Sequence, residues 1–205
     1  MKILKNVIFK NFTSLSFNHG AVIIIHLVFV PLFLTFWNLE IYADWILIST
    51  IPTILSFSEF GLTSYGLNLV VIEYKQNRKN KANFVCQNIV YFVSTIIFSC
   101  ALILLLLNYI FDFQKIFDIA SVKKDELYLV IIFVVLRYLL FSNLKFLVGL
   151  FRINHKFHLS IYLQSSFLVS EMLLIAFTLF WGGQILEVSF VSFINYIIVL
   201  MISFF

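Results

Sequence analysis

The sequence predicts an all-α protein: a polytopic transmembrane bundle of about six helices. Three observations predict it. Of 205 residues, 62% are hydrophobic and 12% charged, with a mean hydropathy of +1.03; ordinary soluble domains run near 45–50% apolar and about 25% charged. Apolar runs close to the ~20 residues that cross a bilayer recur along the whole length. The basic residues collect between those runs, as orientation in a membrane requires. The net charge of +4 is therefore read as orientation charge. Membrane lipids are expected partners and nucleic acid is not.

Taken in order, Lys2, Lys5 and Lys10 precede an apolar run, which resembles a signal peptide. The run is too long and lacks a small-residue cleavage site, so it is read as a retained first span, 16–37. Pro31 lies toward its outer half. His26 lies inside it and is read as a packing residue rather than a proton relay. Residues 38–42 are read as a tight turn. Span two is 43–72, roughly 30 residues, so it must tilt, bend or project beyond the bilayer. A basic loop, EYKQNRKNKA, follows. Span three is 83–107 and carries no charge. Residues 108–126 form the longest loop. Span four, 127–150, contains Arg137 and Lys145. The basic loop FRINHKFH leads to span five, 159–181, with Glu171 inside. Gly182, Gly183 and Gln184 turn the chain into span six, 187–205, which is still apolar at its last residue. The whole is read as one transmembrane domain, and ending inside a span suggests a truncated chain.

Several features carry little. Cys86 and Cys100 sit about 21 Å apart on one helix, too far to bridge. With no CxxC and no His/Cys cluster, neither a metal nor a cofactor is expected. The twenty-six Phe residues are read as lipid-facing bulk rather than an aromatic substrate box. The sequon Asn11-Phe12-Thr13 falls on the inner side and is set aside.

The most informative stretch is residues 42–73. On one continuous helix, Ser56, Glu59, Thr63 and Gly66 share a sector, and Gly61, Ser64 and Asn68 lie roughly opposite. A helix polar on both sides is walled by protein or by a wet cavity, or uses its small residues for close packing. Glu59, Arg137 and Glu171 all fall near mid-span. A charge there costs about 2.5–3.5 kcal/mol on insertion scales, so each must face the bundle interior or a wet cavity. Arg137 and Lys145, about 12 Å apart and roughly 80° around one helix, suit a phosphate or diphosphate. Lys145 also lies close enough to the inner end of its span to snorkel. Glu59 and Glu171 are candidates for a coupling proton or sodium ion. The competing reading pairs Arg137 with Glu59 or Glu171 as interhelical glue. Both readings stand for Arg137; for Glu171 glue is preferred.

These residues also resemble a known family. Tyr42, Asp44 and Trp45, then Glu59 two residues before Gly61-Leu62, then Asn68, resemble the second-helix signature of polysaccharide flippases. Those belong to the multidrug/oligosaccharidyl-lipid/polysaccharide flippase superfamily. The segment VGLFRINHKFHLSIYLQSSF resembles the family's link between its fourth and fifth helices. Ala43 stands where the family has Gly, and Glu59 where it has Asp. The resemblance covers nearly the whole chain, but only the first half of a transporter of about 12 to 14 helices. It implies alternating access, and as cargo an undecaprenyl-diphosphate-linked oligosaccharide moved from inner to outer leaflet of a bacterial cytoplasmic membrane. It further implies a role in O-antigen or capsule synthesis, alongside a polysaccharide polymerase and glycosyltransferases. On this reading Arg137, Lys145 and Glu59 bind substrate, and no residue is catalytic. The alternatives are a multidrug exporter of the same superfamily, an integral-membrane polymerase or acyltransferase, and a passive scaffold. Cationic Arg137 and Lys145 weigh against a cationic drug. The short loops, without a paired acidic motif, weigh against an enzyme.

With the N-terminus cytoplasmic, the inner segments hold nine bases (Lys2, Lys5, Lys10, Lys75, Arg78, Lys79, Lys81, Arg152 and Lys156) and the outer ones three (Lys115, Lys123 and Lys124). Reporter fusions after Arg78 and Arg152 should therefore read as cytoplasmic, and a fusion after Asp118 as external. An external signal at Arg78 would overturn the orientation.

Overall fold

The structure, a computed structural model, describes the backbone of residues 2–204 and the side chains of residues 9–201. The side chains of Lys2 and Lys5, and Phe205, lie outside those described. The elements are α1 (Lys2–Phe36), α2 (Leu39–Ser49), α3 (Ile51–Ser58), α4 (Leu62–Lys75), α5 (Lys79–Phe111), α6 (Phe113–Ile116), α7 (Lys124–Gly149), a 3-10 turn (Leu150–Asn154), α8 (Phe157–Phe180) and α9 (Ile185–Phe204), with no strand among the described residues. Five stretches are long and apolar enough to cross a membrane: Phe9–Phe36, Leu39–Ser58, Lys79–Phe111, Lys124–Asn154 and Phe157–Phe180; Ile185–Met201 is a shorter apolar helix. The chain is an all-α, multi-pass helical bundle.

The helix α7 is the hub. It packs against α9, α5, α3, α8 and α4, while α1 lies along α8, and α4 along α5. The main core gathers Leu55, Ile97, Leu127, Val130, Ile131, Val134 and Leu179 around it. A hub helix is apolar on most sides. By contrast α1 is peripheral, with Ile23, Ile24 and Leu27 left exposed for lipid.

Several boundaries differ from expectation, and α1 already begins at Lys2 rather than at residue 16. Residues 38–42 are not a turn: only Trp37 and Asn38 interrupt the helices. Asn38 caps α2, its side-chain oxygen accepting from the Ile41 amide at 2.8 Å, so the helix restarts at Leu39. The Trp37 indole N–H donates to the Gly183 carbonyl at 2.9 Å, tying this corner to the α8–α9 turn. Span two is three helices rather than one. Pro52 sits in the first turn of α3, where its missing N–H leaves the α2 ladder unfinished. Then Phe60 (φ +46°) and Gly61 (φ +74°) take left-handed backbone and end α3 before α4 begins. Span three is also longer than expected. α5 has 33 residues, roughly 50 Å at 1.5 Å per residue, well beyond a ~30 Å hydrocarbon core.

The loops are pinned by charge. At the basic end, Glu73 meets Lys81 at 2.8 Å and Arg78 at 3.6 Å. The hydrogen bond from Lys81 holds the Glu73 carboxyl below the usual carboxylate range, so this contribution to stability is present at neutral pH and lost on acidification. At the other end, the loop after α6 folds inward, burying Ile119 and Val122. There the buried Asp44 carboxylate accepts from the Ser121 amide at 2.9 Å and from the Ser121 hydroxyl.

The α4–α5 contact is tight at Gly66, where an added Cβ would stand 2.5 Å from Ile89 Cγ1. Gly66→Leu should destabilise the bundle by about 1–3 kcal/mol through overpacking, read as a lowered thermal midpoint in detergent. Ile89→Ala in the same chain should recover much of the loss. A Gly66→Leu protein of unchanged midpoint would refute the close approach.

Candidate functional site

The break in span two sets the first half of the site. Glu59 follows the last residue of α3, and its backbone leads directly into the left-handed pair Phe60–Gly61. Its side chain is 8% exposed and is fully engaged. Oε2 accepts from the Thr63 hydroxyl at 2.5 Å. Oε1 accepts from the Tyr138 hydroxyl at 2.5 Å and the Ser142 hydroxyl at 2.8 Å. Thr63 sits in the first turn of α4, so the carboxylate also stands near the positive end of that half-helix. Three hydroxyl donors and a helix N-terminus provide in a dry interior what water provides outside.

The second half is the ion pair of Arg137 with Glu171. Arg137 is thirteen residues into α7, and Glu171 lies past the middle of α8. Arg137 Nε and Glu171 Oε1 are 2.6 Å apart, with side chains 26% and 6% exposed. The N–H is off the line to the oxygen, so the contact is an ion pair rather than an aligned hydrogen bond. Tyr196 of α9 completes it. Its hydroxyl donates to Glu171 Oε2 at 2.9 Å, and its ring centroid lies 5.8 Å from the Arg137 guanidinium carbon.

Arg137 is more exposed than its partner because it lies between two hollows. The larger, about 420 Å³, is walled by α1, α2, α7 and α8; its lining includes His26, Phe33, Tyr42, Trp45, Arg137 and Glu171. The smaller, about 230 Å³, is lined by Thr53, Ser56, Tyr138 and Tyr196 among others, and shares Pro52, Arg137 and Leu168 with the first. The Pro52 break leaves Pro52 and Ser49 facing the larger space.

The sequence-derived candidates therefore separate. Arg137 and Glu171 meet, and Glu59 does not join them. Tyr42 and Trp45 line the larger hollow. Lys145 is exposed and lines neither hollow. Gly61 supplies the left-handed turn, Leu62 opens α4, and Asn68 is exposed on α4. The shared sector of Ser56, Glu59, Thr63 and Gly66 assumed an unbroken helix. It survives only in part: Thr63 reaches Glu59 and Gly66 is buried, while Ser56 is exposed. Sequence reasoning missed Tyr138, Ser142 and Tyr196. Tyr138 and Ser142 are four apart on α7, one face of one turn, and a hydroxyl pair at helical spacing inside an apolar span was the available signal. Among the described residues no cluster of three His, Cys, Asp or Glu side chains suits a metal.

No family model, curated protein or solved structure matches the chain.

Arg137→Ala should strand the Glu171 carboxylate and cost about 3–5 kcal/mol, toward the lower end because Arg137 is partly exposed. The readout is abundance and thermal midpoint in detergent. Adding Glu171→Ala should recover part of the loss, and adding Glu59→Ala should not. The reverse pattern of rescue would refute the pairing.

Proposed function

We propose that the chain is a wall of a transporter that moves a lipid-linked, undecaprenyl-diphosphate type of oligosaccharide from the inner to the outer leaflet of a bacterial cytoplasmic membrane, by alternating access, for surface polysaccharide synthesis. The observation that carries the reading is the half-open hollow at mid-span in which Arg137 stays partly exposed while paired with Glu171. A guanidinium has five N–H donors. Glu171 engages the Nε side, so donors remain for a diphosphate. Phe29, Phe33, Tyr42 and Trp45 line the same hollow, and aromatic faces suit the apolar faces of sugar rings. The resemblance of residues 42–68 to the second helix of polysaccharide flippases supports the same cargo.

Other features fit this reading better than its alternatives. The Glu171 carboxylate is already neutralised by Arg137, which leaves no free anion in the hollow for a cationic drug. Span two is a discontinuous helix whose breaks fall beside the hollow and at Glu59. Transporters build mid-membrane sites from such helices. Glu59, buried at the second break, is the better placed of the two acids for a coupling ion, because Glu171 is held by Arg137.

The test separates function from stability. In its native membrane, the double variant Arg137→Ala/Glu171→Ala should recover part of the abundance lost in Arg137→Ala yet export, per molecule, less than a tenth of the lipid-linked sugar. Arg137→Lys keeps the charge but loses the planar fork, and should keep abundance with a several-fold loss of export. Normal sugar export per molecule by the double variant would sink the proposal. Loss of drug efflux with sugar export intact would favour the exporter reading.

A further inference from the structure

The basic end of the bundle carries a feature that the cargo hollow does not use. A groove of about 290 Å³ lies between α4, the end of α7 and the 3-10 turn, lined by Tyr74, Leu147, Leu150, Phe151, Ile153 and Asn154. Its lining is apolar apart from Asn154 and the Tyr74 hydroxyl. Tyr74 and Phe151 are each 36% exposed, placed as aromatic residues are at a membrane–water boundary.

Two cations that lack acids sit next to the groove's lining residues without themselves lining it. Lys79 Nζ stands 5.8 Å from the centroid of the Tyr74 ring, which is itself a groove wall. Arg152 sits in the 3-10 turn between the groove residues Phe151 and Ile153. Its guanidinium carbon lies 4.8 Å from the centroid of the Phe157 ring, and its Nε is buried without a hydrogen-bond partner. Burial without a counter-charge is costly for a guanidinium. Glu73 is the only acid in the segments of this end, and Arg78 and Lys81 already occupy it. Among the described residues Lys75, Lys79, Arg152 and Lys156 have no acid partner. An apolar groove beside uncompensated cations, at the level where helices leave the bilayer, matches an amphiphile with an anionic head.

We propose that this groove binds an anionic diacyl phospholipid of the adjoining leaflet, its phosphate drawn to Lys79 and Arg152 and the upper part of an acyl chain lying along Tyr74, Leu147 and Ile153. Charge complementarity selects the occupant. A zwitterionic lipid would bring its own cation to a rim that already holds unpaired ones, whereas an anionic lipid supplies the missing counter-charge. Each base near an anionic surface contributes about fivefold in affinity, so two bases set a preference of roughly 25-fold. The site is independent of the cargo reading and requires only that the chain lies in a membrane.

The experiment places the full chain in nanodiscs of phosphatidylcholine mixed with phosphatidylglycerol and counts retained lipids by native mass spectrometry. The chain should retain phosphatidylglycerol in roughly 25-fold preference over phosphatidylcholine. Lys79→Gln/Arg152→Gln should lower that preference at least tenfold, Lys79→Arg should keep it, and Lys115→Gln/Lys123→Gln at the opposite end should leave it unchanged. Leu147→Trp, which fills the groove, should lower retention with all the charges in place. The unsubstituted chain tests the idea without any variant: equal retention of the two lipids overturns it. Full retention by the double glutamine variant also overturns it. So does displacement of phosphatidylglycerol by equimolar farnesyl diphosphate, which would make the groove an entry point for prenyl-linked cargo instead.

Discussion

A charge at mid-membrane must meet a partner or water, and α7 is where this chain meets that constraint. Arg137 and Tyr138 are consecutive residues, about 100° apart around the helix axis. Arg137 pairs with Glu171 on α8, and Tyr138, with Ser142 one turn on, holds Glu59 at the break between α3 and α4. Two carboxylates, one on α8 and one at the α3–α4 break, are thus met by less than two turns of α7. The same helix packs against five neighbours. The central position of α7 and its load of polar partners have one origin: buried carboxylates cost least where hydroxyl and guanidinium donors can be aimed at them from a rigid element.

The two halves differ in kind. Glu59 is surrounded by hydroxyl donors and no cation, so its charge is solvated by dipoles. Glu171 is met by a full positive charge and one hydroxyl. Buried interhelical hydrogen bonds are worth about 0.6 kcal/mol each in membranes. Removing one partner of a buried ion pair costs several times more. The Arg137–Glu171 contact therefore matters most to holding α7 and α8 together, and the Glu59 cluster to fixing the geometry of a broken helix. Arg137 borders both hollows, whereas the Glu59 cluster reaches open space only through Tyr138 at the smaller one.

Much of the architecture was legible in the sequence because hydropathy and charge placement are strong signals in membranes. The helices, and the need of Glu59, Arg137 and Glu171 for partners or a wet cavity, could be read from composition and depth. What escaped has physical reasons. The partners of the three charges depend on helix rotation and neighbour order, which periodicity along one helix does not report. Tyr138, Ser142 and Tyr196 looked like ordinary members of apolar runs, since a hydroxyl in a span is common and its direction is not written locally. The breaks in span two were half legible: Pro52 and Gly61 were visible, but a single bearing carried across all of residues 42–73 assumed that the helix continued through them. A turn at 38–42 and a helix start at Leu39 look alike in sequence, because Asn suits a turn and an N-cap equally.

The adjacency of Arg137 and Tyr138 has a mechanical consequence. Turning α7 about its axis moves both side chains together. A rotation of one residue, about 100°, carries Arg137 away from Glu171 and Tyr138 away from Glu59 in the same step. The two acids sit on α8 and at the α3–α4 break, and Pro52 of α3 and Leu168 of α8 line the same two hollows beside α7. The contacts at Glu59 and Glu171 thus share one supporting helix, since α7 supplies a partner to each acid. One rigid element aimed at both acids lets the bundle satisfy two buried carboxylates without a polar network running between them.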